Sequence, residues 1–252
     1  MMGEFSVGVI VFASVFGGAL GGTFIRDALP KHHLSSETEN VVKLGTGVIA
    51  TMSALIVGLL LASAKGSFDT RNNELNQLWA NLILIDHQLE RYGPETKEAR
   101  DLLRRYTALK IDALWPSEAS HPVSDAGTVV LMEDIQDKLR ALAPQNDAQR
   151  WLKERALELS GDVVRIRWLL REQSEGTIPV PFLLILVLWL AIIFTSFGLF
   201  APRNTTVIAA LFVCSLSVAG AIFLVLELDQ PFGGLIRISS VPARDALAHL
   251  GQ

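Results

Sequence analysis

The chain has a single cysteine, Cys214, among its 252 residues. One thiol cannot form an intramolecular disulfide, so the sequence excludes a small secreted fold held together by disulfides. Basic residues are not in excess, since 22 Lys and Arg stand against 26 Asp and Glu, a formal net charge of -4. No basic stripe of the kind that binds DNA or RNA is present, and we expect no nucleic-acid partner.

Catalytic and metal-binding patterns are also missing. No Ser/His/Asp spacing is visible, and no Gly-rich phosphate loop follows a strand. The only local pair of imidazoles is His32-His33, and side chains at adjacent positions seldom converge on one metal ion. We therefore expect that the protein is not an enzyme and binds no cofactor and no metal.

The sequence does contain four long apolar stretches, arranged in two pairs on either side of a charged middle segment, at residues 5–25, 41–64, 178–200 and 204–226. About 20 helical residues at ~1.5 Å per residue cross the hydrocarbon core of a bilayer. No acidic, basic or histidine residue lies deep inside them, which disfavours proton relays and ion-coupled transport. The N-terminus lacks the basic start of a secretory signal, so we expect the first stretch to be retained. The predicted fold is an all-α polytopic membrane protein with 2 + 2 transmembrane helices.

The charged middle segment shows helical periodicity. Apolar residues recur at alternating steps of three and four, which is typical of helices with one packed face; the clearest series is Leu75, Leu78, Leu82, Ile85, Leu89 and Tyr92. Further helices are predicted at about 95–114 and 128–142, and from Asp147 onwards. The predicted domains are transmembrane helices 1 and 2, a helical cytoplasmic domain, transmembrane helices 3 and 4, and a C-terminal interfacial motif with a short helix, at 1–65, 66–177, 178–226 and 227–252.

Charges near the ends of the spans predict the orientation. Lys and Arg are more numerous near the membrane on the side of the middle segment, for example Lys65, Arg71 and Arg165, than on the other side, where Arg26 and Lys43 lie. By the positive-inside rule this places the middle segment in the cytoplasm. We expect a multi-pass protein of the inner (plasma) membrane with cytoplasmic N- and C-termini.

Small residues mark one face of each of the first two spans. Span one contains four glycines in the segment FGGALGG: Gly17, Gly18, Gly21 and Gly22. They form two pairs four residues apart, Gly17 with Gly21 and Gly18 with Gly22. In span two, small residues recur every four positions: Thr46, Ala50, Ala54 and Gly58. Small residues four apart let helix backbones approach closely in lipid. They predict packing of spans one and two, within a subunit or around a symmetry axis, and leave open whether the second face lines a pore.

The segment LVLELDQPFGG closes the fourth span, and Glu227 and Asp229 stand where the apolar run ends. Three interpretations remain open. The motif is a helix end whose carboxylates meet Arg237 or Arg244; or the carboxylates form rings at a pore mouth that attract cations; or they bind a divalent ion together with backbone oxygens.

This motif, followed by Ile-x-Ile-Ser-Ser and a short last helix, resembles the bestrophin-like membrane proteins, a widespread family of unassigned function. The 2 + 2 spans, the ALWP segment at Ala113–Pro116 and the helix after span two fit the same resemblance, which covers nearly the whole chain. True bestrophins are pentameric anion channels, so the resemblance implies a homo-oligomer with a pore. Span two has no phenylalanine-rich neck, and anion selectivity is therefore not part of the expectation.

Together these features predict an oligomeric, channel-like membrane protein that conducts ions. The pore is expected to be lined mainly by span two, through Thr46, Ala50, Ser53 and Gly58, with Glu227 and Asp229 at its mouth. The alternative is a membrane-anchored scaffold or sensor, in which the helical cytoplasmic domain binds another protein that the sequence does not identify.

Overall fold

The computed structural model describes residues 3–116, 125–172, 178, 180–202 and 204–251, without the side chains of Glu4, Lys31, Asp125 and Ala126. Within these residues every regular element is helical, which confirms the predicted all-α class. The α-helices, numbered α1 to α8 in chain order, are Glu4–Ala28, Ser36–Tyr92, Lys97–Leu114, Asp125–Ala141, Asp147–Glu172, Val180–Phe200, Thr205–Asp229 and Val241–His249. Two short 3-10 turns are Lys31–Leu34 and Pro94–Thr96.

Four of these helices are long and apolar enough to cross a membrane. They are α1, α2, α6 and α7, whose most apolar windows have mean hydropathies of 1.9, 2.1, 2.7 and 2.6. This confirms the predicted 2 + 2 arrangement of spans.

The chain divides into two compact units. The first comprises residues 1–68 and 176–236, and the second comprises residues 69–175 and 237–252. The segment 227–252, predicted as one domain, is thus divided between the units. We call the first the membrane unit and the second the helical unit.

Helix α2 is continuous from Ser36 to Tyr92. It contains no proline, so every backbone N–H beyond its first turn is available for the helical hydrogen-bond ladder. Gly93, at φ 139°, ends it in a backbone conformation that other residues seldom adopt, and Pro94 follows. The carbonyl of Leu89 accepts the backbone N–H of Gly93 at 3.4 Å and also the hydroxyl of Thr96 at 2.6 Å. The predicted stop at Gly93-Pro94 is confirmed.

The core of the membrane unit is built by α1, α6 and α7, with one face of α2 packed against it. Its buried members are Val11, Val15 and Ala19 of α1, Leu186, Leu190, Ile193 and Phe194 of α6, and Leu211, Ala219 and Ile222 of α7. The rings of Phe12 and Phe16 on α1 each lie nearly perpendicular to the ring of Phe212 on α7, with centroids 5.3 Å and 5.4 Å apart. Such edge contacts are a favoured aromatic geometry and fix α1 against α7.

The helical unit buries the apolar faces that the sequence predicts. All six residues of the series on α2 are buried, from Leu75 to Tyr92, and the opposing helices contribute Leu103, Tyr106, Ile135, Leu139, Ala156, Leu159 and Val163. The last helix, α8, is anchored in the same unit by Ala243, Ala246 and Leu250. The indole N–H of Trp115 donates to the carbonyl of Ile238 at 3.0 Å and holds the chain that leads into α8.

Asp86 joins three parts of the helical unit. Its two carboxylate oxygens accept from Nε and Nη2 of Arg100 on α3, at 2.8 Å and 3.0 Å. Oδ2 also accepts the backbone N–H of Gly251 at 3.2 Å. The hydrogen bond to Asp86 raises the pKa of Arg100, while burial acts in the opposite direction. This paired arrangement compensates the buried charge of Asp86.

Candidate pore helix and C-terminal motif

The glycines of α1 fall on two faces with different surroundings. A Cβ atom on Gly18 would lie 2.9 Å from Oγ1 of Thr195, and one on Gly22 would overlap the carbonyl oxygen of Thr195. Around Gly17 and Gly21, in contrast, a Cβ atom would meet nothing within 4 Å. Of the two pairs, only Gly18 and Gly22 therefore lie where α1 approaches another helix of the subunit, and that helix is α6.

Helix α6 has a matching small residue. A Cβ atom on Gly198 would overlap the carbonyl oxygen of Ala19, so the two backbones meet through small residues on both sides. At the end of α1, Nη1 of Arg26 donates to the carbonyl of Ala201, just beyond the last turn of α6, at 2.5 Å. The glycine pattern predicts close packing but not the partner, which is span three rather than span two.

The four residues predicted to line a pore lie in different environments. Thr46 is 8% exposed, and its hydroxyl donates to the carbonyl of Val42 at 2.8 Å within the same helix. Ser53 is 2% exposed, and its hydroxyl has no hydrogen-bond partner among the described residues. Ala50 is partly buried against the core, whereas Gly58 is exposed. Of the four, only Gly58 lies on a face that the subunit leaves open.

Two stripes with the same spacing run along the membrane part of α2. The inner stripe packs within the subunit and consists of Thr46, Ala50, Ser53, Val57, Leu60 and Ala64. The outer stripe is exposed and consists of Leu44, Val48, Thr51, Leu55, Gly58 and Ala62. Both advance by alternating steps of four and three, so each follows one side of the helix.

The outer stripe is uncharged and well exposed. Leu44, Val48 and Leu55 are 75%, 62% and 64% exposed, and no ionisable side chain occurs between Lys43 and Lys65. Apart from Gly58, its residues are not among those predicted to line a pore. Its regular spacing is a signal present in the sequence, but the inner stripe has the same spacing and more hydroxyl groups, which drew the prediction to that side.

The C-terminal motif is organised around the buried carboxylate of Glu227. Its Oε2 accepts the backbone N–H groups of Leu235 and Ile236, at 2.6 Å and 3.3 Å. Gly234 has φ 70°, and a Cβ atom there would overlap the same carboxylate. The glycine is thus needed both for its backbone conformation and for the space that Glu227 occupies. This geometry favours the interpretation of Glu227 as part of a helix end.

Asp229, the second acidic residue of the motif, is partly exposed, unlike the buried Glu227. At the end of α7, Glu227 thus binds the backbone of its own motif, whereas Asp229 is partly accessible at the surface of the subunit. No cluster of three or more His, Cys, Asp or Glu side chains suited to a metal ion occurs in the part of the chain that the structure describes.

Comparison with known proteins identifies the fold. A crystal structure of a bacterial bestrophin homologue from Klebsiella pneumoniae matches with a TM-score of 0.67 at 12% identity, covering 94% of this chain and 95% of that chain. A variant of a Klebsiella pneumoniae bestrophin homologue with one substitution matches with a TM-score of 0.70 at 14% identity, covering 96% and 99%. At these identities the likeness establishes the fold alone. A search of curated proteins finds no significant match.

The family is shown by a match over most of the sequence. The family model of the bestrophin-like domain matches residues 13–243, a range that includes α2, most of the helical unit and the whole C-terminal motif. The protein therefore belongs to the bestrophin-like family of membrane proteins.

Proposed function

We propose that this protein is a subunit of an oligomeric ion channel in which several copies of α2 surround the pore. Bestrophins are oligomeric ion channels, and the chain shares their fold and family. The observation that carries the proposal is the outer stripe of α2. The subunit leaves open a continuous, uncharged side of a membrane helix. In a ring of subunits this side would face the water-filled axis and the neighbouring copies of α2.

The composition of the outer stripe supports a protein-facing or water-facing position over a lipid-facing one. Thr51, Gly58 and Ala62 are small, and small residues in membrane helices concentrate where helices meet. The exposed side of α6 differs, since its members are mostly large: Phe182, Leu184, Ile185, Leu188, Ile192 and Phe197. Large apolar side chains suit contact with acyl chains.

The outer stripe also supports a way of gating. A ring of Leu55 side chains, next to the small Gly58, would form an apolar constriction. Hydrophobic constrictions close by expelling water without any charged gate. The inner stripe has no place in this pore as long as the subunit keeps its fold, because Thr46 and Ser53 are buried. Of the four residues predicted to line the pore, only Gly58 therefore belongs to the proposed lining.

The pore mouth is proposed at Asp229 alone. Glu227 is buried and its carboxylate binds the motif's own backbone, whereas Asp229 is partly exposed. An acidic ring at the mouth would favour cations. The excess of Lys and Arg on the side of the helical unit supports a cytoplasmic position for that unit and both termini, and an inner-membrane location follows in the same proposal.

Cysteine accessibility tests the outer stripe directly. In a Cys214→Ala background, Thr51→Cys and Gly58→Cys are expected to lose current when a water-soluble, thiol-reactive cation is added to channels in planar bilayers. The matched control is Leu188→Cys, since Leu188 is 59% exposed on α6 and thus as open in the isolated subunit as the outer stripe. Equal effects at both helices, or block only at a Ser53→Cys variant, would contradict the proposed lining.

Reversal potentials under a KCl gradient test conduction and the mouth. A cation pore with Asp229 at its mouth reverses toward the potassium potential, and Asp229→Asn reduces that shift. Reversal toward the chloride potential would support an ion channel but contradict a cation-attracting acidic ring at its mouth. If membranes containing a demonstrably folded oligomer stay silent, the channel proposal is wrong and the scaffold or sensor alternative takes its place.

A further inference from the structure

The last turns of α5 carry a basic and aromatic surface that the proposed channel function does not use. From Val163 to Arg171 the chain reads VVRIRWLLR, with three arginines and no acidic residue. We call its outward members, Arg165, Trp168, Leu169 and Arg171, the α5 basic patch; all four are exposed. The buried neighbours Val163, Ile166 and Arg167 fix this turn of the helix against the helical unit.

Trp168 is held in an exposed position by its neighbours. Its side chain is 57% exposed, while the guanidinium groups of Arg167 and Arg171 each lie 5.8 Å from the ring centroid. Arg167 precedes Trp168 along the helix and Arg171 follows it, and the two cation–π contacts stabilise the orientation of the indole. Leu169, 36% exposed, extends the same apolar area. A large indole kept open in this way indicates a partner with an apolar part.

The arginines of the patch indicate that the same partner is anionic. Nη2 of Arg165 donates to Oδ1 of Asp162 at a long 3.4 Å, and both side chains are largely solvent-exposed, at 66% and 41%. An exposed pair of this kind contributes little, so Arg165 can exchange it for a stronger anion. Guanidinium groups bind phosphate oxygens through paired hydrogen bonds.

The position of the patch in the sequence specifies the partner. Helix α5 ends at Glu172, and the most apolar helix of the protein, α6, begins at Val180. Tryptophan and arginine are enriched at the ends of membrane spans, where an indole lies at headgroup depth. We propose that the α5 basic patch binds anionic phospholipid headgroups, with Arg165 and Arg171 on the phosphate and with Trp168 and Leu169 in the interfacial layer.

Tryptophan quenching by brominated lipids tests this in the full-length protein. The protein is reconstituted in phosphatidylcholine vesicles that contain brominated phosphatidylglycerol or, at the same fraction, brominated phosphatidylcholine. The contribution of Trp168 is the difference between the protein and its Trp168→Phe variant. We expect stronger quenching by the anionic lipid, with a relative association constant larger by on the order of fivefold per arginine. Arg165→Gln combined with Arg171→Gln is expected to abolish that preference.

Trp151→Phe is the matched control, because Trp151 is 58% exposed near the start of the same helix. Its substitution is expected to leave the quenching unchanged. Equal quenching by both brominated lipids would overturn the recognition of anionic headgroups, and quenching that persists undiminished in Trp168→Phe would overturn the position of the patch. If dissolved glycerol phosphate abolishes the stronger quenching by the anionic lipid, the patch is a site for small phosphates, and this outcome would also overturn the proposal. Size-exclusion chromatography verifies that each variant remains folded.

Discussion

The carboxylate of Glu227 accepts the backbone N–H of Leu235 at 2.6 Å, eight residues further along the chain. This hydrogen bond joins the last turn of α7 to the segment that follows it. It explains why an acidic residue is buried at the end of an otherwise apolar helix, and why Gly234 stands beside it.

Substitution of Glu227 by Gln is expected to destabilise the protein by roughly 2 kcal/mol, because hydrogen bonds to a charged acceptor are worth about 1.5–3 kcal/mol. The thermal unfolding midpoint of the purified protein in detergent measures this effect. Glu154→Gln is the control, and it is expected to change that midpoint little since Glu154 is exposed. Equal losses in both variants would contradict the special role of Glu227.

Replacing Gly22 by Ala is expected to weaken the contact between α1 and α6. The new methyl group would overlap the carbonyl oxygen of Thr195, and backbone cannot move aside as a flexible side chain can. Overpacking of this kind costs about 1–3 kcal/mol. Gly21→Ala is a close control, because a Cβ atom there meets nothing within 4 Å. If the two variants unfold at the same temperature, α1 and α6 do not approach as closely as described.

Asp86→Asn is expected to loosen the helical unit and the end of the chain together. The substitution removes the charge that pairs with Arg100 and replaces one of two acceptor oxygens by a donor. Losing one member of a largely buried pair costs about 3 kcal/mol. Hydrogen exchange measured by mass spectrometry should show faster exchange in α3 and around Gly251, with α1 and α6 unchanged. If exchange becomes faster only in α3, Asp86 does not stabilise the C-terminal segment at Gly251.

Tyr92→Phe is expected to change the pH dependence of stability. Burial, and secondarily the charge of Glu95, raise the pKa of Tyr92 above its ordinary value of 10.0. Above pH 10 the unfolded chain loses the phenolic proton while the folded protein keeps it, so the free energy of unfolding falls as pH rises through this range. The variant lacks this contribution. At neutral pH it should be as stable as the parent or more so, because no described group accepts from the buried hydroxyl.

Denaturant titrations of the parent and of Tyr92→Phe between pH 8 and pH 11 measure this difference, about pH 10 being where a tyrosine ordinarily titrates. Identical slopes of stability against pH in the two proteins would show that Tyr92 does not contribute.

Much of the helical unit is readable from the sequence. The series from Leu75 to Tyr92 places apolar residues on one face of a helix and charged residues on the other. In water the hydrophobic effect buries only the apolar face, so this pattern predicts which side is packed. The stop at Gly93-Pro94 is equally local, since it depends on the backbone preferences of two residues. The pairing of Asp86 with Gly251 could not be predicted, because it joins residues far apart in sequence that share no pattern.

For the membrane unit the sequence alone determined the number of long apolar helices and their lack of internal charge. Only the tertiary structure decided which side of α2 is packed, which of the α1 glycines meet α6, and that Glu227 points into its own motif. The physical reason is that acyl chains are as apolar as a protein core, so burial in a membrane leaves no contrast between inner and outer faces. Ser53 and Leu55 stand two residues apart on opposite sides of the helix, and the polar one is the buried one.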